Sequence, residues 1–439
     1  MGNGNIKIFL AYHKKTPCYK SDVFQPLYVG AGVNGVNGVN GVNGATSEPL
    51  DFAIPDNTGE NISQLNPYFC ELTGHYWVLK NYIDTCKEDY IGFGHYRRLP
   101  DLTGTSDVDK PSIYGMAYSE SGDFFEQMKE QNLSQYLMLF DVVLPCSCYM
   151  YENTVNPQLR DDEPHYNVYD HFLKEHKNDL LDTLKAVFTL VYPDDLPALE
   201  EVYAQEKSHF YNMYYMRTPL MKAFLEWEFE ILEYMGQAIG GWNQDQYRRM
   251  AGFVGETLVN IWLKLDRNKS LQLGYAPVYM IDFESEYIAK INEYHSQGLY
   301  NEALEELKNL LPVASEPFAV SFSISEISFG IGNAQQGQQY LEISENYATT
   351  GEDYFRLGML TSQADPSAID KVSELYEKSI QLQPDEKLFA LSYVAFTDQL
   401  HDVNRSAKAW PYLLKFELTP EEQEAYGKFK KVYDMVNKA

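Results

Sequence analysis

Residues 94–98 read Gly-His-Tyr-Arg-Arg, which puts two adjacent guanidiniums behind an imidazole and a phenol. Guanidinium forks match phosphate and carboxylate oxygens in pairs and keep their charge, so His95, Tyr96, Arg97 and Arg98 could hold a diphosphate. They could equally be surface charges paired with Asp101 or Asp107. A second polar residue to place is Glu256, which stands in the helix-periodic apolar run 253–265. Its structural reading is a glutamate at a helix start, stabilised by the macrodipole.

Other polar clusters point less sharply. Asp161, Asp162, Glu163 and His165 crowd together as a possible metal site, but such acidic loops are more often solvated faces. Asp141 opens an apolar run, where an aspartate is usually structural. His209 and Asn212 sit in the aromatic-rich stretch "SHFYNMYYM", 208–216, either as packed core residues or as ligand contacts.

Elements must position these groups. Residues 6–12, "IKIFLAY", and the run from Asp89 to Arg98 read as buried strands, and 136–145 as another. Gly92 and Gly94 interrupt the second of these, which lets another group approach the backbone closely. Ser63 or Asn66, followed by Pro67, can start an aromatic-rich helix running through Trp77. Helical patterns cover 168–190 and 219–238. Ligands in open α/β sheets bind at the carboxyl ends of the strands, where the His-Tyr-Arg-Arg segment falls. Residues 32–44 repeat Gly-Val-Asn four times, a period that fits neither a strand nor a helix, so 32–48 is expected to be an expanded mobile loop. From about 284 the texture becomes helical. Residues 367–396, with Ala368, Tyr376, Ile380 and Pro384, come close to a tetratricopeptide pattern, and the next helix is expected from Asp385. Such a region either binds protein partners or simply extends the first domain.

Composition narrows the classes. The 439 residues suffice for two or three domains, and 35 tyrosines argue against disorder. A formal net charge of -28 disfavours a nucleic-acid partner bound through a broad basic face. Five unpatterned cysteines, with no second ligand pair beside Cys146 and Cys148, read as reduced thiols. No window is apolar enough to span a bilayer, and the start lacks a signal-peptide core, so a cytoplasmic protein is expected.

Three motifs together carry a resemblance: "AYHK" at 11–14, the block from Asp56 to Asn81 that includes "DNTGENIS", and "YIGFGHYRR". With "DVVLP", "SHFYNMYYM" and "RMAGFVGETLVNIWL", they resemble a family of bacterial capsular and exopolysaccharide glycosyltransferases, the domain of unknown function 4422, over roughly 6–282. The resemblance implies a GT-A-like (Rossmann-like) α/β domain over 1–283; the all-α, tetratricopeptide-like region expected over 284–439 lies outside it. It implies sugar transfer from a nucleotide-diphosphate donor, such as a UDP-sugar, to a glycan or lipid-linked acceptor near the inner membrane face. Under it, Ala11, Tyr12 and His13 lie near the nucleotide, and Asp56, Asn61, Asn66 and Glu71 shape the sugar pocket. His95, Tyr96, Arg97 and Arg98 face the diphosphate, Glu256 or Asp245 is the base, and His209 and Asn212 meet the acceptor. The family pattern carries a basic residue after the acid, where this chain has Thr257. Because the strand ending in His-Tyr-Arg-Arg offers no carboxylate pair, the arginines are expected to replace a metal, and no cofactor is required. Two other readings stay open: a non-catalytic scaffold acting through its helical tail, and a phosphoryl- or nucleotide-processing enzyme using the same arginines.

Overall fold

The first strand, Ile6–Tyr12, is buried along nearly its whole length. A segment without a polar face needs partners on both edges and layers on both faces, which is the demand of a central strand in an α/β sheet. The structure is a computed structural model that describes residues 5–13, 16, 18–33, 50–103, 113–128, 130–151, 165–176, 178–424 and 426. Residues 34–48 of the Gly-Val-Asn loop, Asp107, and the Asp161, Asp162, Glu163 cluster lie outside the described residues.

The strands are β1 (Ile6–Tyr12), β2 (Phe24–Tyr28), β3 (Ile54–Pro55), β4 (Tyr90–His95), β5 (Arg98–Pro100), β6 (Ile113–Ala117) and β7 (Val142–Pro145). They continue with β8 (Cys148–Tyr151), β9 (His165–Tyr166), β10 (Lys207–Ser208), β11 (Tyr215–Arg217), β12 (Leu273–Ala276) and β13 (Val278–Asp282). Among the described residues ten of them form one mixed sheet, whose main path runs β12-β7-β11-β4-β1-β2-β3. β11 is antiparallel to both neighbours, while β1 is parallel to β2 and β4, and β7 is parallel to β12. β10, β8 and β9 form a small second sheet.

The register brings the carboxyl ends of β1, β2 and β4 to one edge, with Ala11 opposite both Leu27 and His95. Helices Leu72–Asn81, Thr218–Ala238 and Met250–Lys264 supply much of the apolar layer against this sheet, through Val78, Phe224, Leu225, Val254 and Leu258. The expected strand over 136–145 is shorter. Residues 136–137 finish the helix Glu130–Leu137, and β7 begins only at Val142. Asp141 marks the break and is structural, accepting from Arg217 Nε and from the Gln272 amide, each at 2.9 Å.

The chain divides into compact units of residues 1–286 and 287–439. In the second, consecutive helices pack side by side: Pro317–Gly330 with Ala334–Tyr347, Gly351–Ala364 with Ile369–Leu382, and Lys387–Gln399 with Val403–Leu413. Tyr376 and Ile380 are buried in the core of this unit, and the helix expected from Asp385 begins at Lys387. Thr350 and Asp353 form a reciprocal capping box, which satisfies amides that the helix start would leave open.

Gly92 and Gly94 are explained by packing within the protein. A Cβ on Gly92 would lie 2.2 Å from Tyr215 Cδ1, and one on Gly94 would lie 2.9 Å from Leu10 Cδ2. The group that approaches β4 is the fully buried Tyr215 ring of β11. Gly92→Ala should therefore destabilise the protein by about 1–3 kcal/mol, the usual cost of overpacking. Urea unfolding checks this as a lower midpoint with an unchanged slope.

Candidate functional site

The His-Tyr-Arg-Arg segment is a tight reversal. His95 of β4 pairs with Arg98 of β5, so Tyr96 and Arg97 form the turn between antiparallel strands. The two arginines therefore lie on different parts of the hairpin. Tyr96 points into the core, stacked on Tyr12 at 5.5 Å and on Phe283 at 6.1 Å, and its amide donates to the Ala11 carbonyl at 3.2 Å. Tyr12 is equally buried, and its hydroxyl accepts from the Tyr19 amide. These two tyrosines fasten the end of β1 to the end of β4. The partly exposed rings of His13 and His95 sit 6.0 Å apart at that edge.

Arg97 lies within electrostatic reach of Asp282, at the end of β13. Burial raises that carboxyl, but bonds from Ser285 and Glu284 and the Arg97 charge outweigh it and hold Asp282 below the usual range. Arg98 packs over the Tyr211 ring at 4.7 Å. Its Nε is buried without a hydrogen-bond partner, and among the described residues no carboxylate lies in salt-bridge range of it.

Glu256 gathers the remaining groups. Its helix begins at Met250, so it stands in the second turn, and the helix-start explanation from the sequence does not apply. The Tyr211 amide donates to Glu256 Oε1 at 3.0 Å. Burial first, and then the Glu71 carboxylate, push the Glu256 pKa up to about 7, against the pull of the Tyr211 amide, Arg98 and Arg249. Asn212 Nδ2 donates to Glu71 Oε1 at 2.8 Å and to the Gly252 carbonyl at 2.9 Å, so one amide ties three segments together. Beneath them lies Glu228, fully buried with neither oxygen bonded; burial and then Glu71 push its pKa well above the usual carboxylate range. Gly255 leaves room for this, since its Cβ would meet Asn212 Oδ1 and Glu228 Oε1 at 3.1 Å.

Backbone strain converges here. Five non-glycine residues among those described have positive φ, and four of them, Cys70, Tyr211, Asn212 and Arg249, adjoin this site. Each such conformation costs on the order of 1–3 kcal/mol and persists where the surroundings fix it, as they do at functional sites.

The structure thus brings Glu71, Arg98, Asn212 and Glu256 together. Asp56 is fully buried and accepts from the Gly30 and Ala31 amides, Ser63 Oγ and Thr73 Oγ1, which shapes the turn after β2. Asn66 donates to the Cys70 carbonyl and presses against Gly30, and Asn61 bonds within its own turn to the Gly59 carbonyl and the Ser63 amide. Asp245 faces solvent, its side chain 96 % exposed, and pairs with Arg248. His209 is joined to the Glu256 helix through Asn260, which stands one turn on from Glu256 and whose side chain accepts from the His209 amide and donates to the His209 and Glu256 carbonyls.

Sequence reasoning missed Arg249, Tyr211 and Glu228. Arg249 left a signal: a cation directly before an apolar helix opposes the macrodipole, where a Ser or Asp would normally stand. Among the described residues, no group of three His, Cys, Asp or Glu side chains is arranged to hold a metal.

The raised Glu256 pKa fixes a sign. The folded state keeps this proton from pH about 4.5 to about 7 while the unfolded chain has lost it, so stability falls as pH rises through that window. Glu256→Gln should therefore be more stable than the parent at pH 8, by an amount on the order of 1–3 kcal/mol, with the difference closing near pH 4.5. Denaturant unfolding at both pH values checks it.

Three comparisons bear on this site. The apo structure of WbbM, a bifunctional glycosyltransferase, superposes with a TM-score of 0.50 at 25 % identity. The match covers 63 % of this chain but only 45 % of that protein's length. Helical proteins also match: MamA from Desulfovibrio magneticus RS-1 (TM-score 0.25, 16 % identity, 44 % of this chain and 93 % of that one). A TPR repeat-containing protein from Cytophaga hutchinsonii matches with a TM-score of 0.27 at 10 % identity, over 58 % of this chain and 97 % of that one. No curated protein matches. The family model described as "Domain of unknown function (DUF4422)" matches residues 7–269, a span holding every residue gathered around Glu256, and the chain belongs to that family.

Proposed function

We propose that the first unit is a glycosyltransferase of surface-polysaccharide assembly. It would move a sugar from a nucleotide-diphosphate donor, a UDP-sugar being the first to test, to a glycan or lipid-linked acceptor on the cytoplasmic side of the membrane. The observation that carries this reading is the half-buried Glu256 carboxylate, held by the Tyr211 amide within the fields of Arg98 and Arg249. The likeness to WbbM supports it.

In this reading Glu256 takes the proton of the acceptor hydroxyl. The acceptor oxygen bonds to the anomeric carbon as the bond from that carbon to the diphosphate breaks, and the electron pair leaves with the diphosphate. Attack and departure on opposite faces invert the anomeric centre. Arg98 and Arg249 stabilise the charge that grows on the leaving group, the task for which preformed cationic groups in a dry site are best suited. In this reading Arg98 and Arg249 carry the charge balance that the sequence assigned to Arg97 and Arg98 with His95, and no metal takes part in it.

Glu256→Gln should lower kcat by at least about 100-fold, with UDP affinity kept. Full transfer activity in a folded Glu256→Gln protein would remove Glu256 from the mechanism. Because the base must be ionised, kcat/KM of the parent should fall as pH drops below about 7. Arg98→Ala should raise the donor KM, and transfer should survive EDTA; activity abolished by EDTA and restored by manganese would refute the metal-free account.

A further inference from the structure

A surface cleft of about 650 Å³ opens beside the Glu256 helix, and nothing in the mechanism above uses it. One wall is the β8–β10 pair, where Lys207 lies opposite Tyr149. The other is the edge strand β12, carrying Tyr275. Asn260 and Lys264 of the helix Met250–Lys264 complete the lining, with His209 between the walls.

Three features define its chemistry. Tyr275 is 36 % exposed although large and aromatic, and its ring stacks on His209 at 5.3 Å and 8°. Lys207 Nζ sits over the Tyr149 ring at 4.1 Å, so a second aromatic carries a hydrogen-bond donor on its face. His209 Nδ1 lies 2.6 Å from the Pro145 carbonyl, which only accepts, so Nδ1 carries the proton. Burial keeps this imidazole neutral, and Nε2 is then left as an acceptor. Glu201 and Glu206 line the same cleft with Lys207, Lys264 and Lys269, and Glu201 is paired with Lys264 at 2.7 Å, so the cleft carries both donors and acceptors.

Aromatic faces with interleaved donors and acceptors suit a polyhydroxylated ring, which presents C–H faces and hydroxyl edges. Position agrees. Glu256, Asn260 and Lys264 follow at four-residue steps on one helix face, so the cleft begins one turn, about 6 Å, from the candidate base.

We infer that this cleft is the acceptor subsite, holding a saccharide with a pyranose ring against Tyr275 and a hydroxyl directed along the helix toward Glu256. The inference rests on the transferase reading of the same unit.

The test uses the full chain and two probes, UDP and a set of p-nitrophenyl hexopyranosides, with binding measured by saturation-transfer NMR and titration. At least one glycoside should bind the parent and Tyr275→Phe alike. Tyr275→Ala and Lys207→Ala should weaken it tenfold or more while UDP affinity stays within twofold. Tyr275 and Lys207 stand on different strands, so misfolding of one variant leaves the other informative. Unchanged glycoside affinity in both alanine variants overturns the inference, as does a parent that binds UDP and no glycoside. A parent that binds glycosides through Tyr275 but not UDP supports the cleft as a saccharide site while the donor reading fails.

Discussion

The side-chain amide of Asn212 is the fastening on which the site depends. Its two donated bonds join Glu71, at the head of the helix Leu72–Asn81, to Gly252, in the first turn of the helix Met250–Lys264. The loop that carries Asn212 leads directly into β11, the one strand of the main sheet path that runs against its neighbours. A sheet strand, a layer helix and the Glu256 helix are thereby fixed to one point. Asn212 holds φ +49 to do so, and Tyr211 beside it holds φ +79, which aims the Tyr211 amide at Glu256.

Electrostatics concentrate at the same point. The Glu71 charge acts on both Glu228 and Glu256, and burial is the larger influence on each. Burial and Glu71 both push Glu228 toward its protonated form, whereas Glu256 is also drawn the other way by the Tyr211 amide, Arg98 and Arg249. The balance leaves Glu256 poised to exchange a proton near neutrality, where a base is most useful. Strained backbone, unbonded buried oxygens and opposed charges all weaken the fold locally. Their coincidence at one place is the pattern expected of a site kept for chemistry at some cost in stability.

Much of this was legible in the sequence. The apolar run 6–12, the strand before His95 and the helices over 219–238 and 253–265 all formed, because their periodicity reports burial directly. The resemblance placed Arg98, Glu71, Asn212 and Glu256 in one domain. Three things escaped. The strand ending at His95 turns back, so adjacent arginines diverge, and no periodicity encodes a two-residue reversal. Gly92 of β4 makes room for Tyr215 and Gly94 for Leu10, contacts made between strands and invisible along the chain. Asp56 and Asn66, polar and close to the site in sequence, are bound up in the turn after β2, and only the bonding partners distinguish such residues from ligand contacts.

The family match ends at residue 269, but the folded unit does not. β12 completes one edge of the sheet, and β13 pairs with both β5 and β6, its Ile281 amide bonded to the Arg97 carbonyl. The hairpin that carries Arg98 is therefore held from outside the matched segment, by the strand that leads into the helical unit. Cutting the gene at the family boundary would strip the arginine hairpin of its outer strand. A free-standing domain has to be drawn past Asp282, so here the unit of homology and the unit of folding differ by two strands.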